Sequence, residues 1–527
     1  MGIPTSVGGR WLWPQKGDYI EPTVARIDRF FDDQLNDQQE TAVKDIVSPG
    51  HRVPYLISGP PGTGKTKTIV EAVLQIVQDR KARVLLCAPS NAAADTLTRR
   101  LRARLTPSQL FRLNSDKRTF AEVPQTILQY CHVDNDKFGL PPIIDLMKFQ
   151  VVVTTCLDAA ILAKAQVTNH DIQEAREHYE AILGKGTGPS PLHWTHLLID
   201  EAAQASEPET LVPMEVVFPT PYRSSSGALT VSPEPTVVLC GDIKQRKSSP
   251  SCIRLALIPT VVGPVIHSRL ARDGGLEISM LERLFKCDVY PRLNNYPKRP
   301  GHDGPCVYLV KNYRSMPAIL VAPSALFYAD TLQPAAKDVS LIKWSGLVNP
   351  DIPVVFKGCE TEDSTIDEGA SWFNVGEIDE IVKTILTLQA DRPDILAKDI
   401  AVITPWREQV WRIRTRLRAI GLHGIDVGHV ESYQGAEFKV TILSCVRSRA
   451  RFLDGDRKAS MGFFGEPKRL NVALTRAKEL LVIIGNANLL KADEHWYGLL
   501  QIAIRQNLYS GPDTGITVNK EHLTMVE

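Results

Sequence analysis

The stretch VPYLISGPPGTGKTKTIVEAV, residues 53–73, constrains the fold of this 527-residue chain more than any other. VPYLI (53–57) is an apolar run that suits a buried strand, and GPPGTGKT follows from Gly59 to Thr66. Beyond it Ile69, Val70, Val73, Leu74, Ile76 and Val77 recur three to four residues apart, the period of an amphipathic helix. Strand, glycine-rich turn and helix in that order fit the pattern G-x-x-x-x-G-K-[ST]. Glycines leave room for backbone N–H groups to curl around phosphates, and the helix N-terminus adds its dipole. Lys65 is placed to reach β- and γ-phosphates, and Thr66 to bind Mg²⁺. The candidate nucleotide contacts here are Gly59, Pro60, Pro61, Gly62, Thr63, Gly64, Lys65, Thr66 and Lys67.

The same arrangement of apolar strand, polar loop and amphipathic helix repeats along the chain. VLLCA (84–88), VVVTT (151–155), HLLID (196–200) and TVVLC (236–240) follow in the first half. CVYLV (306–310), PVVF (353–356), DIAVIT (399–404), VTILS (440–444) and LLVIIG (480–485) follow in the second, with helices expected at 375–389 and 407–420. Continuous β-branched runs suit strands covered on both faces, as in a parallel sheet. The fold class expected is therefore α/β, with two tandem doubly wound parallel-sheet domains and functional residues at strand C-termini. The boundaries expected are a short N-terminal segment (1–33), domain one (34–288), a Pro/Gly/Asn-rich linker (289–304), domain two (305–510) and a tail (511–527).

Net charge is +1, so any basic surface must be local. Nine scattered cysteines without a C-x-x-C pair argue against a zinc module and a disulfide framework, and favour a reducing compartment. No apolar run reaches transmembrane length. Met1 to Ser6 fits the myristoylation template M-G-x-x-x-[ST], a short pattern that also suits an unstructured start.

Further motifs carry the chemistry. In LLIDEAAQ, Asp200 ends an apolar strand and is placed to hold Mg²⁺, while Glu201 can polarise an attacking water. Gln245 of GDIKQ follows the next strand and can sense the γ-phosphate. NYRS offers Tyr313 and Arg314, ESYQGAEF offers Gln434, Gly435 and Glu437, and NVALTRAK offers Arg476. Arg314 and Arg476 make sense as arginine fingers if the two domains face each other across ATP, an effect worth about 10³–10⁵ in rate.

This order of motifs resembles the superfamily 1 helicases, whose two ATPase domains are RecA-like, over nearly the whole chain. LNDQQ is similar to the family's adenine-side motif, with Gln39 reading the base; APSNAAAD (88–95) and TTCLDAA (154–160) are similar to its strand-tracking motifs. NYRSMPAIL matches the loop with the adenine-stacking tyrosine, here Tyr313, and VESYQGAEF and RLNVALTRAK match two later motifs. DEAAQASEPETLVP and MGFFGEPKRLNVALTRAKELLVIIGNANLL resemble the Armitage and Moloney-leukaemia-virus-ten branch of RNA helicases, relatives of the nonsense-mediated-decay helicase. The resemblance implies ATP and Mg²⁺ as cofactors, 5′→3′ movement on single-stranded RNA, work in RNA silencing or messenger-ribonucleoprotein remodelling with proteins of those pathways, and a cytoplasmic setting. A DNA helicase of the same superfamily and a catalytically weakened RNA-binding scaffold remain the alternatives.

Ser90, Asn91 and Thr155 in the first domain, and Thr404, Pro405 and Ser432 in the second, are the candidate RNA contacts. Their hydroxyls, amides and backbone suit phosphate and sugar without sequence readout. Trp406 either packs or stacks on a base, packing being the commoner fate of such a ring. The arginines of 407–420 form either an RNA-facing patch or a solvated face.

The chain departs from the family twice. About thirty residues precede the adenine-side motif where the family carries further modules, so the expectation is a bare core, either naturally minimal or cut short by an incomplete gene prediction. The family spelling GDxxQLGPV is also interrupted, since excising 246–261 would leave GDIKQVGPV. That stretch reads as unspliced intron sequence or as a lineage-specific loop.

Overall fold

The computed structural model describes residues 7–23, 25–183, 191–219, 222–223, 229–230, 234–243, 270–271, 274–291, 304–366, 371–433, 435–459 and 461–518. Gln245, the 246–261 stretch, Met1–Ser6 and most of the expected linker lie outside them. By contact the chain divides into two compact units. The first holds the described residues of Met1–Pro60, Gly64–Ile243 and Ile278–Leu309, and the second those of Pro61–Thr63, Lys244–Glu277 and Val310 onward.

In the first unit, α1 (Asp37–Val47) precedes β1 (Tyr55–Ser58), α2 (Lys65–Ile76), β2 (Val84–Ala88), α3 (Asn91–Leu101), β3 (Leu110–Arg112), β4 (Val151–Thr155), β5 (His196–Ile199), β6 (Thr236–Gly241) and β7 (Cys306–Tyr308). These strands form one parallel sheet in the order β7-β1-β6-β5-β2-β4-β3. Successive side chains feed opposite faces. Leu56, Leu85, Val152, Leu197 and Leu239 pack into one core, and Tyr55, Ile57, Leu86, Val153, Leu198 and Val238 into the other. Both faces are covered, so the runs carry no polar alternation.

The second unit repeats the plan with β8 (Val354–Gly358), α4 (Val375–Asp391), β9 (Ile400–Ile403), α5 (Arg407–Ala419), β10 (Asp426–Gly428), β11 (Phe438–Ser444), α6 (Pro467–Leu474), β12 (Ala477–Gly485) and β13 (Tyr509–Ser510). Its parallel sheet has the order β10-β9-β11-β12-β8-β13. Phe356, Ile403, Leu443 and Ile483 face one core; Val355, Val402, Ile442 and Val482 face the other. Among the described residues no helix is long and apolar enough to cross a membrane.

One expectation needs correction. The sequence places CVYLV (306–310) in the second domain, yet Cys306–Tyr308 pairs with β1 in the first sheet, Leu56 opposite Cys306 and Ser58 opposite Tyr308. The physical reason is that β1 would otherwise be an open edge, and β7 closes it with backbone bonds from Leu56 to Pro305 and from Leu309 to Ser58.

Candidate nucleotide site and strand-contact residues

The glycine-rich loop leaves β1 at Ser58, where the Gly59 N–H donates to the Gly241 carbonyl of neighbouring β6 at 3.0 Å. Gly62 and Gly64 have φ of 78° and 83°, the left-handed region that glycine enters without penalty. A Cβ on Gly64 would collide with the Gln39 side-chain amide. The loop therefore turns directly into α2 at Lys65.

Lys65 is buried, and its Nζ donates to the Gly59 carbonyl (2.8 Å) and to the Pro60 carbonyl (3.4 Å). The amine thus lies behind the loop that its own strand launches. The Thr66 hydroxyl donates to Asp200 Oδ2 at 2.8 Å, across 134 positions of sequence, because β5 ends close to the start of α2. Asp200 Oδ1 accepts from the Glu201 N–H at 2.9 Å. Burial, then the charge of Glu201, raises the Asp200 carboxyl above its ordinary value, while the Thr66 hydroxyl and the Lys65 amine oppose the shift.

Glu201 stands at φ 54° and accepts from Gln204 Nε2 at 2.9 Å on Oε2. Sequence reasoning missed Gln204 as a partner; its position three residues after Glu201 in DEAAQ was the available signal. Lys67 is tied to the segment before α1, donating to the Gln34 carbonyl (2.9 Å) and pairing with Asp32 (3.0 Å). Gln39 is buried, and its Oε1 accepts from the Asn36 N–H while its own N–H donates to Asn36 Oδ1, both at 3.0 Å. This capping box fixes the side chain expected to read a base, with its amide against Gly64. Thr63 is also buried.

In the second unit the Arg314 guanidinium donates from Nε to Glu437 Oε2 (2.8 Å) and from Nη1 to the Thr475 carbonyl (3.1 Å). Lys478, another residue the sequence did not single out, pairs with Glu437 Oε1 at 2.5 Å. Burial raises the Glu437 carboxyl, but Arg314 and Lys478 outweigh it and leave it below its ordinary value. Gly435 has φ 78° beside this pair, and Tyr313 is 40% exposed.

Arg476 differs from the outward arginine finger that the sequence suggests. It is 1% exposed, and its guanidinium donates to the carbonyls of Val472 (2.9 Å), Tyr433 (3.1 Å) and Ala436 (3.2 Å). It pins the loop of Tyr433–Ala436 to the end of α6. A motif fixes residue type, not side-chain direction.

The candidate strand contacts are mostly engaged locally. Ser90 caps α3 by accepting from the Ala93 N–H, and Asn91 Oδ1 accepts from Arg112 Nη2 at 2.8 Å. Thr155 Oγ1 accepts from the Asp158 N–H at 3.0 Å. In the second unit Ser432 is exposed and Pro405 half-buried. Thr404 is wholly buried, so its hydroxyl offers no surface to a strand, a correction to its expected role. Trp406 packs against Trp372 and Val446 at 4% exposure, with the Arg447 guanidinium 4.7 Å from the ring centroid.

Two family models, each described as an AAA domain, match residues 34–138 and 276–488. The human protein "RNA helicase Mov10l1" is 36% identical over 508 residues, 94% of this chain and 37% of its own length. The chicken "Putative helicase MOV-10" is 35% identical over 92% of this chain and 48% of its own length. The Drosophila melanogaster "Probable RNA helicase armi" is 32% identical over 92% of this chain and 39% of its own length. The chain thus spans less than half the length of each of these relatives.

Proposed function

We infer that this chain is a superfamily 1 helicase core of the branch to which MOV-10 and Armitage belong, and that it hydrolyses ATP to move along single-stranded RNA. The observation that carries the reading is the contact of the Thr66 hydroxyl with the Asp200 carboxylate, with the Lys65 amine held behind the same loop. The relatives whose printed names include RNA helicase align over nearly the whole chain, which supports RNA over DNA as the strand.

The donors present fit Mg²⁺: an alcohol and a carboxylate are hard oxygen ligands, and they already meet at 2.8 Å. Bound there with ATP, the ion would neutralise charge on the phosphates. Lys65 supplies a second positive charge, and the N–H groups of Gly62 to Thr66 cradle the phosphates at the start of α2. Glu201, oriented by Gln204, takes the proton of the attacking water. Gln39 binds the base and Gln245 senses the γ-phosphate. Movement 5′→3′, a role in RNA silencing or messenger-ribonucleoprotein remodelling, and a cytoplasmic setting belong to the same proposal.

Steady-state ATPase of the chain without nucleic acid, with oligouridine and with oligothymidine tests it. The expected result is strong stimulation by RNA and loss of activity to background in Lys65→Ala. Stimulation by DNA alone would make the protein a DNA helicase, and hydrolysis with neither strand would make it a scaffold.

A further inference from the structure

We propose that the outward face of α5 is an accessory single-stranded RNA track, with Trp411 stacking on a base and Arg407, Arg414 and Arg418 holding phosphates. It rests on the single-stranded RNA reading above and adds a surface outside the family motifs.

Helix α5 buries Gln409, Val410, Ile413 and Leu417 against its own unit. Arg407, Trp411, Arg414 and Arg418 are spaced four, three and four apart, so they line up in one stripe that flanks the buried face, and all four are exposed. Trp411 is 60% exposed, a large apolar ring left in water.

The other two arginines of the helix stand beside carboxylates. Arg412 pairs with Glu408 at 2.8 Å and lies over the Phe373 ring, and Arg416 stands 3.8 Å from Asp379. Among the described residues no carboxylate pairs with Arg407, Arg414 or Arg418. Arg414 is steadied by donating Nε and Nη2 to the Val427 carbonyl at 2.9 and 2.5 Å, which orders one guanidinium without cancelling its charge.

An indole flanked by guanidiniums that lack a carboxylate partner has the chemistry of a stacking platform on an electrostatic path, the combination that holds single strands regardless of sequence. A protein-docking face would surround the indole with further apolar side chains; here its helical neighbours are Arg407, Arg414, Thr415 and Glu408, the last with its charge taken up by Arg412. From Arg407 to Arg418 the helix rises about 16 Å, enough to follow a few nucleotides. The stripe starts two residues after Pro405, one of the strand contacts expected from the sequence.

The test is anisotropy of labelled oligouridine against the full chain at several salt concentrations, with RNA-stimulated ATPase measured alongside. Trp411→Ala is expected to weaken binding at least about fivefold, and Trp411→Tyr, which keeps a stacking ring, to stay within about twofold of the native chain. The Arg407→Ala, Arg418→Ala double variant is expected to flatten the slope of log affinity against log salt by about 1.4. ATPase without RNA and the melting temperature stay unchanged, since these side chains are exposed. If the native chain responds to RNA while the variants match it in affinity and salt slope, the track is overturned and the face serves another partner, such as an acidic protein. If the native chain itself ignores RNA, the functional reading has failed first.

Discussion

Glu201 combines a backbone conformation that a non-glycine residue enters at a cost of about 1–3 kcal/mol with a side chain held by Gln204. The strain is offset by Asp200, which accepts the Glu201 N–H, and by the Ala202 N–H, which reaches the Cys240 carbonyl on β6 at 2.7 Å. Gln204 thus acts as a positioning residue for the proposed base. Gln204→Ala should lower kcat for ATP about tenfold with KM little changed, because the carboxylate loses its orientation while nucleotide contacts remain. Steady-state kinetics with saturating RNA would show the split. At this scale Lys65, Thr66 and Asp200 were legible because a strand, a loop and a helix in sequence order leave few directions for their side chains. Arg476 and Thr404 were not, since burial depends on which loop folds over them.

The second sheet shows how its elements are joined at the ends of β9 and β11. Glu377, on the first turn of α4, accepts from Ser444 Oγ at 2.6 Å and from the Val446 N–H at 2.8 and 3.0 Å. Gln409 of α5 donates to Ser444 Oγ and accepts from the Asn374 N–H, both at 2.9 Å. Burial raises the Glu377 carboxyl to about 8, against the lowering effect of the bonds from Ser444 and Val446. Below the ordinary value near 4.5 folded and unfolded chains both hold the proton, so no penalty exists there. Between about 4.5 and 8 only the unfolded chain releases it, and stability falls across that window before levelling off. Glu377→Gln keeps the packing without the titration. It should gain on the native chain by a few kcal/mol, on the order of the shift, as pH rises from 5 to 8. Denaturant melts at several pH values would read this.

Legibility by element follows the position in the sheet. The central strands carry unbroken apolar runs, because both of their faces are covered. Within the two large sheets the strands the sequence missed, Leu110–Arg112, Asp426–Gly428 and Tyr509–Ser510, all lie at the edges. Each has two or three residues, too few to show a period, and edge strands need less apolar surface. The fourth edge, Cys306–Tyr308, was seen as a strand but joined to the wrong sheet, since pairing across some 250 residues leaves no local trace.

At the scale of the molecule, that fourth edge sets where the first unit ends. Val307 and Leu309 enter one core of the first sheet, and Cys306 and Tyr308 the other. A fragment ending at residue 309 should be monomeric by gel filtration with a cooperative melt. One ending at 288 should melt lower and self-associate, because β1 then presents unpaired N–H and C=O groups along its length. The order of synthesis gives this arrangement a meaning in time. Once β6 has emerged from the ribosome, residues 242–305 must still be added before β7 exists, about 3–13 s at roughly 5–20 residues per second. During that interval the strand that launches the phosphate-binding loop is the bare margin of a nascent sheet. The edge that β7 later covers is, for those seconds, open to pairing with any other strand, and a chaperone that shields it would protect the nascent sheet.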